Sequence, residues 1–358
     1  MTFLDRRNFL KGAGVAVVGA LTARTLPAAE PKAPRLRVAQ LGVEHPHAPG
    51  KWETLQRRTD LFDCAGVWEP DPAVRKQVES HPTFRSAHWL TESELFGDTG
   101  IQAVLVEREL PDLLGTAHRC LERGWHVHID KPPGADLDGL RSLQTLAATK
   151  RLVLQMGYMW RYHPAFTFCF DVLHRGVLGR VVEVTGHLGK MMPASRRPQL
   201  AQMYHGSMMA LGSHLLDLAV AVKGVPEHVS AFRRRTYPEH DAFYDNELAV
   251  LEYPDALATV RSMLTEVGGA QRRQFTIFGD EGTVEVLPIE PARVYLTLRQ
   301  PVAGFKAGRQ EIAIPKVKGR YDGMLEDFAR MVRGQASVLT GFTPEHDLTV
   351  QRIALQFY

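Results

Sequence analysis

A chain of 358 residues, 44% hydrophobic and 23% charged, has ordinary globular composition and enough length for about two domains, which excludes a disordered or fibrous polymer. The formal charge of +3 resides in the first 29 residues, where Arg6, Arg7, Lys11 and Arg24 face only Asp5. Beyond Ala29 there are 39 basic and 39 acidic side chains, so neither nucleic acid nor an anionic membrane is implied as a partner.

Residues 5–11 read D-R-R-N-F-L-K, followed by an apolar run over 12–21 and then Leu-Pro-Ala-Ala before Glu30. Paired arginines with Phe-Leu-Lys fit a twin-arginine export signal over residues 1–29, which predicts a periplasmic protein. The apolar run is too short to span a bilayer stably. An uncleaved amphipathic arm is the plainer reading of the same residues.

The chain then alternates. Residues 35–41 form a β-type run ending at Gly42, and 52–58 suit a helix. A second apolar strand over 62–68 ends in Glu69-Pro-Asp-Pro, with a helix over 73–80. Residues 101–106 make a third strand and 113–123 a helix closed by Gly124; 125–129 is the next strand, delivering Asp130 and Lys131 to the carboxyl edge of the sheet, where open α/β folds bind ligands. A helix over 137–149 and a β run over 152–156 complete a Rossmann-type domain spanning 35–155. From 156 to 358 the pattern changes to an α+β domain with an open, mainly antiparallel sheet: helices over 165–175, around 213–222 and over 322–332, and strands over 180–187, 228–234, 248–253, 257–264, 274–278, 283–286 and 294–298. A Pro-, Met- and Arg-rich loop follows the first of these strands. The pattern is still helical at Tyr358, leaving room for a longer natural C-terminus. Cys64, Cys120 and Cys169 lie apart in apolar stretches, without CxxC or Cys/His ligand spacing, and read as buried thiols.

In order, the Gly42 loop, Glu69, G-W-H-V-H-I-D-K-P-P-G (124–134), Q-M-G-Y-M-W-R-Y-H-P-A-F (155–166), A-L-G-S-H-L-L-D-L (210–218) and F-T-I-F-G-D-E-G-T-V-E-V (275–286) resemble the glucose-fructose oxidoreductase / inositol dehydrogenase (Gfo/Idh/MocA) family. The likeness runs from Arg35 to the C-terminus. It implies an NAD(P)-dependent oxidoreductase acting on a sugar, polyol or glycoside hydroxyl, in a homodimer or homotetramer. Asp130-Lys131-Pro132 stands at the family's Glu-Lys-Pro, so the resemblance makes Lys131 the group beside the nicotinamide and the reacting carbon. His214 matches the family's acid–base histidine. An ammonium with a lowered pKa can stabilise an alkoxide and relay its proton, and a neutral imidazole suits the same transfer. Tyr158, Arg161, His163 and Asp217 are the expected substrate-binding residues; Arg161 has a planar fork for a hydroxyl or carboxylate, although a structural salt bridge accounts for it equally. Gly42, His45, His47, Glu69, Asp130, Lys131 and Pro132 are the expected cofactor contacts. A periplasm holds no soluble NAD or NADP pool, so the cofactor is expected to be tightly bound.

Several positions depart from the family. Glu44 and His47 replace the second and third loop glycines, where a side chain obstructs the pyrophosphate. Glu107-Arg108-Glu109 replaces the usual Thr-Pro, and Ala210 replaces an aspartate. Two alternatives therefore stay open. One is a metal- or nucleotide-assisted glycoside lyase or hydrolase without net redox, with His45, His47, Glu69, His126 and His128 offering ligands to a divalent metal. The other is a sugar-binding protein that has lost catalysis.

Overall fold

Two sheets organise the chain in the computed structural model, which describes residues 34–358; the export-signal reading of 1–29 lies outside them. The first half runs β1 (Leu36–Leu41), α1 (Ala48–Arg57), β2 (Phe62–Trp68), α2 (Pro72–Val78), α3 (Glu92–Gly97), β3 (Ala103–Val106), α4 (Asp112–Arg123), β4 (His126–Ile129), α5 (Leu137–Lys150) and β5 (Leu154–Met156). Its five strands are all parallel in the order β2-β1-β3-β4-β5. Parallel strands covered on both faces need continuous apolar runs, and β3, Ala-Val-Leu-Val, is buried at every residue. Local signals set the helix ends: Asp71 caps α2 through Ala73 N, Thr91 and Glu94 form a capping box on α3, and Gly124 closes α4 at φ 90°.

Strand order reverses between β1 and β3, which opens a crevice at their carboxyl ends. Helix α1 points its N-terminus into that crevice. It begins four residues before the expected 52, because Pro49 is tolerated in a first turn and Ala48, Lys51, Trp52 and Leu55 form one buried face.

The second half runs α6 (Pro164–His174), β6 (Val181–Gly189), α7 (Arg197–Tyr204), α8 (Ser213–Lys223), β7 (His228–Arg234), β8 (Asn246–Tyr253), β9 (Ala256–Met263), β10 (Gln274–Gly279), β11 (Gly282–Val286), β12 (Val294–Leu298), β13 (Gly308–Ile312), α9 (Asp322–Val332) and α10 (Pro344–Ala354). Its eight strands lie in the order β13-β12-β11-β10-β6-β9-β8-β7, antiparallel except for the β6–β9 pair. The inner face carries α6 and α8: Phe166 of α6 meets Phe275 of β10 with ring centroids 5.8 Å apart, and Gly186 of β6 lets Leu215 of α8 approach. The outer face alternates, leaving Leu257 and Phe232 exposed.

Three elements depart from the sequence reading. The expected loop after β6 contains α7, whose Arg197 is buried in ion pairs with Asp241 and Asp245. Strand β13 and the short helix α3 were not anticipated; α10, which accounts for the helical pattern expected towards Tyr358, packs against α8 and α5. Helices α9 and α10 return to the first sheet, where Arg57 pairs with Asp322 and Gln155 donates to the Met324 carbonyl. Residues 35–358 thus make one compact unit. Among the described residues no helix is long and apolar enough to cross a membrane.

Phe275 is fully buried at the joint between α6 and the second sheet. Phe275→Ala is expected to destabilise the fold by about 3–5 kcal/mol, read as a lowered urea midpoint.

Candidate active site

Lys51 is completely buried on α1 and is the centre of the crevice. Its ammonium donates to Glu107 Oε1 at 2.6 Å, Asp130 Oδ2 at 2.6 Å and His128 Nε2 at 2.8 Å. His128 can accept because its Nδ1–H faces Gln155 Oε1 at 2.8 Å, and Gln155 is oriented by donating to the Tyr162 hydroxyl and the Met324 carbonyl. Three acceptors match the three protons of an ammonium. Burial alone would push Lys51 down, but Asp130 and Glu107 reverse this and raise its pKa. Burial also raises an acid; at Asp130 the His45, His47 and Lys51 contacts outweigh it and hold the carboxylate well below its usual range. Glu107 goes the other way, well above its usual range, through burial and the neighbouring Asp130 charge, so that Lys51 and Asp130 balance as the one ion pair. Lys51 was missed in the sequence, yet it carries a signal: a lysine three residues after Ala48 and four before Leu55, on an otherwise apolar helix face.

The glycine loop is folded onto itself. Gly42 adopts φ +89°, and the place where a Cβ would stand is taken by Arg108 Cδ, 2.7 Å away. Arg108 pairs with Glu44 at 2.8 Å and Glu69 at 2.9 Å, and reaches Asp112 at 2.6 Å. Glu69, expected to read ribose hydroxyls, has a fully buried side chain and accepts from the Val43 and Asp71 amides, each at 3.0 Å. Three more of the loop's amides are engaged: His45 N–H donates to the Glu107 carbonyl, His47 N–H to His45 Nδ1, and Ala48 N–H to the His45 carbonyl. Pyrophosphate needs free N–H donors at the helix N-terminus and bare backbone beside them. In this arrangement Arg108 and the engaged amides stand in its place, and the loop has to open to admit it.

Where the loop faces the second half, a cavity of about 530 Å³ opens. Lys131 and His214 both line it, together with His45, His47, Glu44, Glu109, Trp160, Tyr204, Ala210 and Tyr321. Lys131 Nζ donates to the Ala210 carbonyl at 3.2 Å, so the backbone at the position of the missing aspartate supplies an acceptor. Ala210 lies in a π-helical turn, Met208–Gly212, a distortion frequent at functional sites. Burial, helped by the Lys51 and Arg320 charges and opposed by Asp130, lowers the Lys131 pKa to about 8. His214 is held well below its ordinary value by burial and by Lys131 and His47; its Nδ1 is buried without a hydrogen-bond partner among the described residues. Burial also takes His47 to about 3 and raises Glu109 to about 7.

The expected substrate residues sit elsewhere. Tyr158, Arg161, His163 and Asp217 are not on the cavity wall. Arg161 and Asp217 pair with each other at 2.5 Å, with Asp347 and His346 of α10 completing a buried network; the structural salt bridge is what the geometry shows. Tyr158 packs edge-on against His214 at 5.8 Å, and His163 caps α6 through the Ala165 amide. Of the expected cofactor contacts, His45, His47 and Lys131 reach the cavity, Asp130 belongs to the Lys51 network, and Pro132 is buried behind Lys131.

The five-residue metal set does not assemble. Glu69 turns to Arg108, His126 Nδ1 accepts from the Val153 amide, and His128 serves Lys51. His45, His47 and Asp130 do bring three ligand atoms within 4.8 Å of one another. Asp130 Oδ2 there already takes Lys51 and the His47 ring, and Oδ1 the Lys131 amide.

Comparison with known proteins identifies two family matches: an oxidoreductase-family NAD-binding Rossmann fold over residues 36–158 and a GFO/IDH/MocA C-terminal domain over 169–285. The chain is 28% identical over 193 residues to the uncharacterized oxidoreductase YhhX of Escherichia coli, covering 52% of this chain and 54% of that one. It is 27% identical over 164 residues to the trans-1,2-dihydrobenzene-1,2-diol dehydrogenase of Macaca fascicularis, covering 45% and 48%. The alignments thus span about half the length of these curated relatives. In fold it resembles the aldose-aldose oxidoreductase of Caulobacter crescentus (TM-score 0.75, 16% identity, 91% and 97% of the two chains). It also resembles the UDP-N-acetylglucosamine 3-dehydrogenase of Acidithiobacillus ferrooxidans (TM-score 0.71, 18% identity, 91% and 97%).

Removing one member of a buried ion pair leaves the other uncompensated. Lys51→Met is expected to lower stability by about 3–5 kcal/mol in urea titration, and Lys51→Met with Asp130→Asn to recover part of that loss. A single variant within about 1 kcal/mol of the parent would contradict the role given to Lys51.

Proposed function

The chain belongs to the Gfo/Idh/MocA family of oxidoreductases, with that family's NAD-binding Rossmann fold, and from this we propose that it oxidises or reduces a hydroxyl-bearing carbon of a sugar, polyol or glycoside bound between Lys131 and His214. The observation that carries the reading is the single cavity of about 530 Å³ onto which both side chains open. It has room for a monosaccharide-sized ligand. Two proteins of the same fold act on sugars by name, an aldose-aldose oxidoreductase and a UDP-N-acetylglucosamine 3-dehydrogenase, which supports the substrate class.

Lys131 is the acid–base group. With a pKa lowered to about 8, its free amine takes the hydroxyl proton during oxidation and its ammonium returns one during reduction, while the Ala210 carbonyl fixes the Nζ position. His214 is neutral near pH 7, and its ring lines the same cavity as Lys131, beside the ligand. Trp160, tilted against the His214 ring with centroids 4.9 Å apart, gives the ligand an apolar face to pack against.

The family supports a nicotinamide cofactor. Tight retention, the expectation that came with export, would require the Arg108–Glu44 pair to part and the loop amides to be released. That closed loop favours one second reading, acid–base chemistry on the sugar without hydride transfer. The export reading of residues 1–29 remains part of the proposal, as does self-association through the outer face of the second sheet, where Phe232 and Leu257 are exposed.

Incubation of the purified chain with NAD or NADP and a panel of sugars and polyols tests this. Growth of reduced-nicotinamide absorbance is expected, and a changed sugar without it would instead establish the second reading. Oxidation should rise with pH and level off above about 8, because the base form of Lys131 accumulates through that pH. Lys131→Ala should lose on the order of 10²–10⁴-fold in rate and lose this limb of the pH profile.

A further inference from the structure

The cavity wall is strongly basic. Lys190 follows β6, Arg196 precedes α7, Arg273 precedes β10 and Arg320 precedes α9, and all four face the cavity. Together with Lys131 the lining carries five cationic side chains against three carboxyls, Glu44, Glu109 and Glu290.

Those carboxyls do not neutralise the wall. Glu44 is committed to Arg108 at 2.8 Å. Glu109, at about 7, is part protonated near neutral pH. Glu290 is shared, one oxygen taking Arg273 at 2.9 Å and the other Arg320. Lys190 and Arg196 make no side-chain hydrogen bond or ion pair among the described residues.

The charges act on one another across the cavity. Burial and then Arg273, Arg196 and Arg320 lower the Lys190 pKa, and Arg320 bears in the same direction on Lys131 and His214. Like charges facing one concavity with apolar patches such as Leu188 and Leu200 focus a positive potential into it. Unliganded, this arrangement opposes folding by self-repulsion; an anion placed there removes the repulsion and gains charge-assisted hydrogen bonds.

We propose that the cavity binds a carbohydrate bearing an oxyanion (carboxylate, sulfate or phosphate), held by Lys190, Arg196, Arg273 and Arg320, with a hydroxyl-bearing carbon directed to Lys131 and His214. The placement of that carbon rests on the function proposed above; the anion subsite rests on the basic wall alone.

Titration calorimetry of the full chain with glucose, glucuronate, glucose 6-sulfate, glucose 6-phosphate and inorganic phosphate tests it. At least one anionic sugar is expected to bind about tenfold or more tightly than glucose, with an advantage that shrinks as salt is raised. The three anionic sugars distinguish the oxyanion, and inorganic phosphate reports on the subsite without any sugar. Lys190→Ala with Arg196→Ala, at two exposed residues, should not lower the melting temperature and should remove most of the advantage. Equal binding of glucose and all three anionic sugars, absence of binding by every anionic probe, or an advantage that survives the double variant would each overturn the inference. Lys131→Ala separates the two proposals: it should slow turnover on the order of 10²–10⁴-fold and keep anion binding. Turnover of neutral sugars without anion preference sinks only the subsite, and anion binding without turnover of any sugar sinks only the redox reading.

Discussion

One buried ammonium holds the centre of this protein. Lys51 reaches from α1 to Glu107 at the end of β3, His128 inside β4 and Asp130 beyond it, joining three elements at the crevice where the strand order reverses. A charge without water survives there only because each of its protons has an acceptor. Those acceptors in turn fix the His128 tautomer and the Asp130 charge, and Asp130 fixes the rings of His45 and His47.

That network has consequences for chemistry a few ångströms away. Lys131 follows Asp130 directly, and the same desolvation that Lys51 escapes through its partners pushes Lys131 down, since its Nζ has only a carbonyl to meet. Two neighbouring lysines therefore take opposite protonation tendencies, Lys51 a structural cation and Lys131 the group proposed for acid–base work, for a reason visible in their partners. His214 is pushed the same way as Lys131, buried with Trp160 and Tyr158 packed against its ring. The glycine loop, meanwhile, places its own amides and the Arg108 guanidinium where a fold of this type ordinarily receives phosphate oxygens.

Much of the fold was legible because periodicity is a local property. β7, β12 and α9 fall on the expected residues, and in β12 and α9 alternation or a helical stripe reports burial directly. The misses share a cause. α7 begins in a run of Arg and Pro that suggests a loop, and it becomes helical because Arg197 finds Asp241 and Asp245 from far along the chain. α1 is longer than the expected 52–58, and the turn it gains holds Lys51, whose three partners come from residues far along the chain.

The site divides in the same way. Sequence by itself determined the family blocks, the carboxyl-edge position of Lys131, the histidine on α8 and the departures at Glu44, Glu107 and Ala210, since each is a matter of residue type at a fixed place in an ordered series. Only tertiary structure decided what those residues do with one another: Glu69 turned inward to Arg108, Arg161 and Asp217 joined to each other, Ala210 answering Lys131 with its carbonyl, and four cations from separate loops gathered on one wall. The physical reason is that an ionisable side chain takes its role from whichever partners and solvent surround it, and in a folded chain those come from residues far away in sequence.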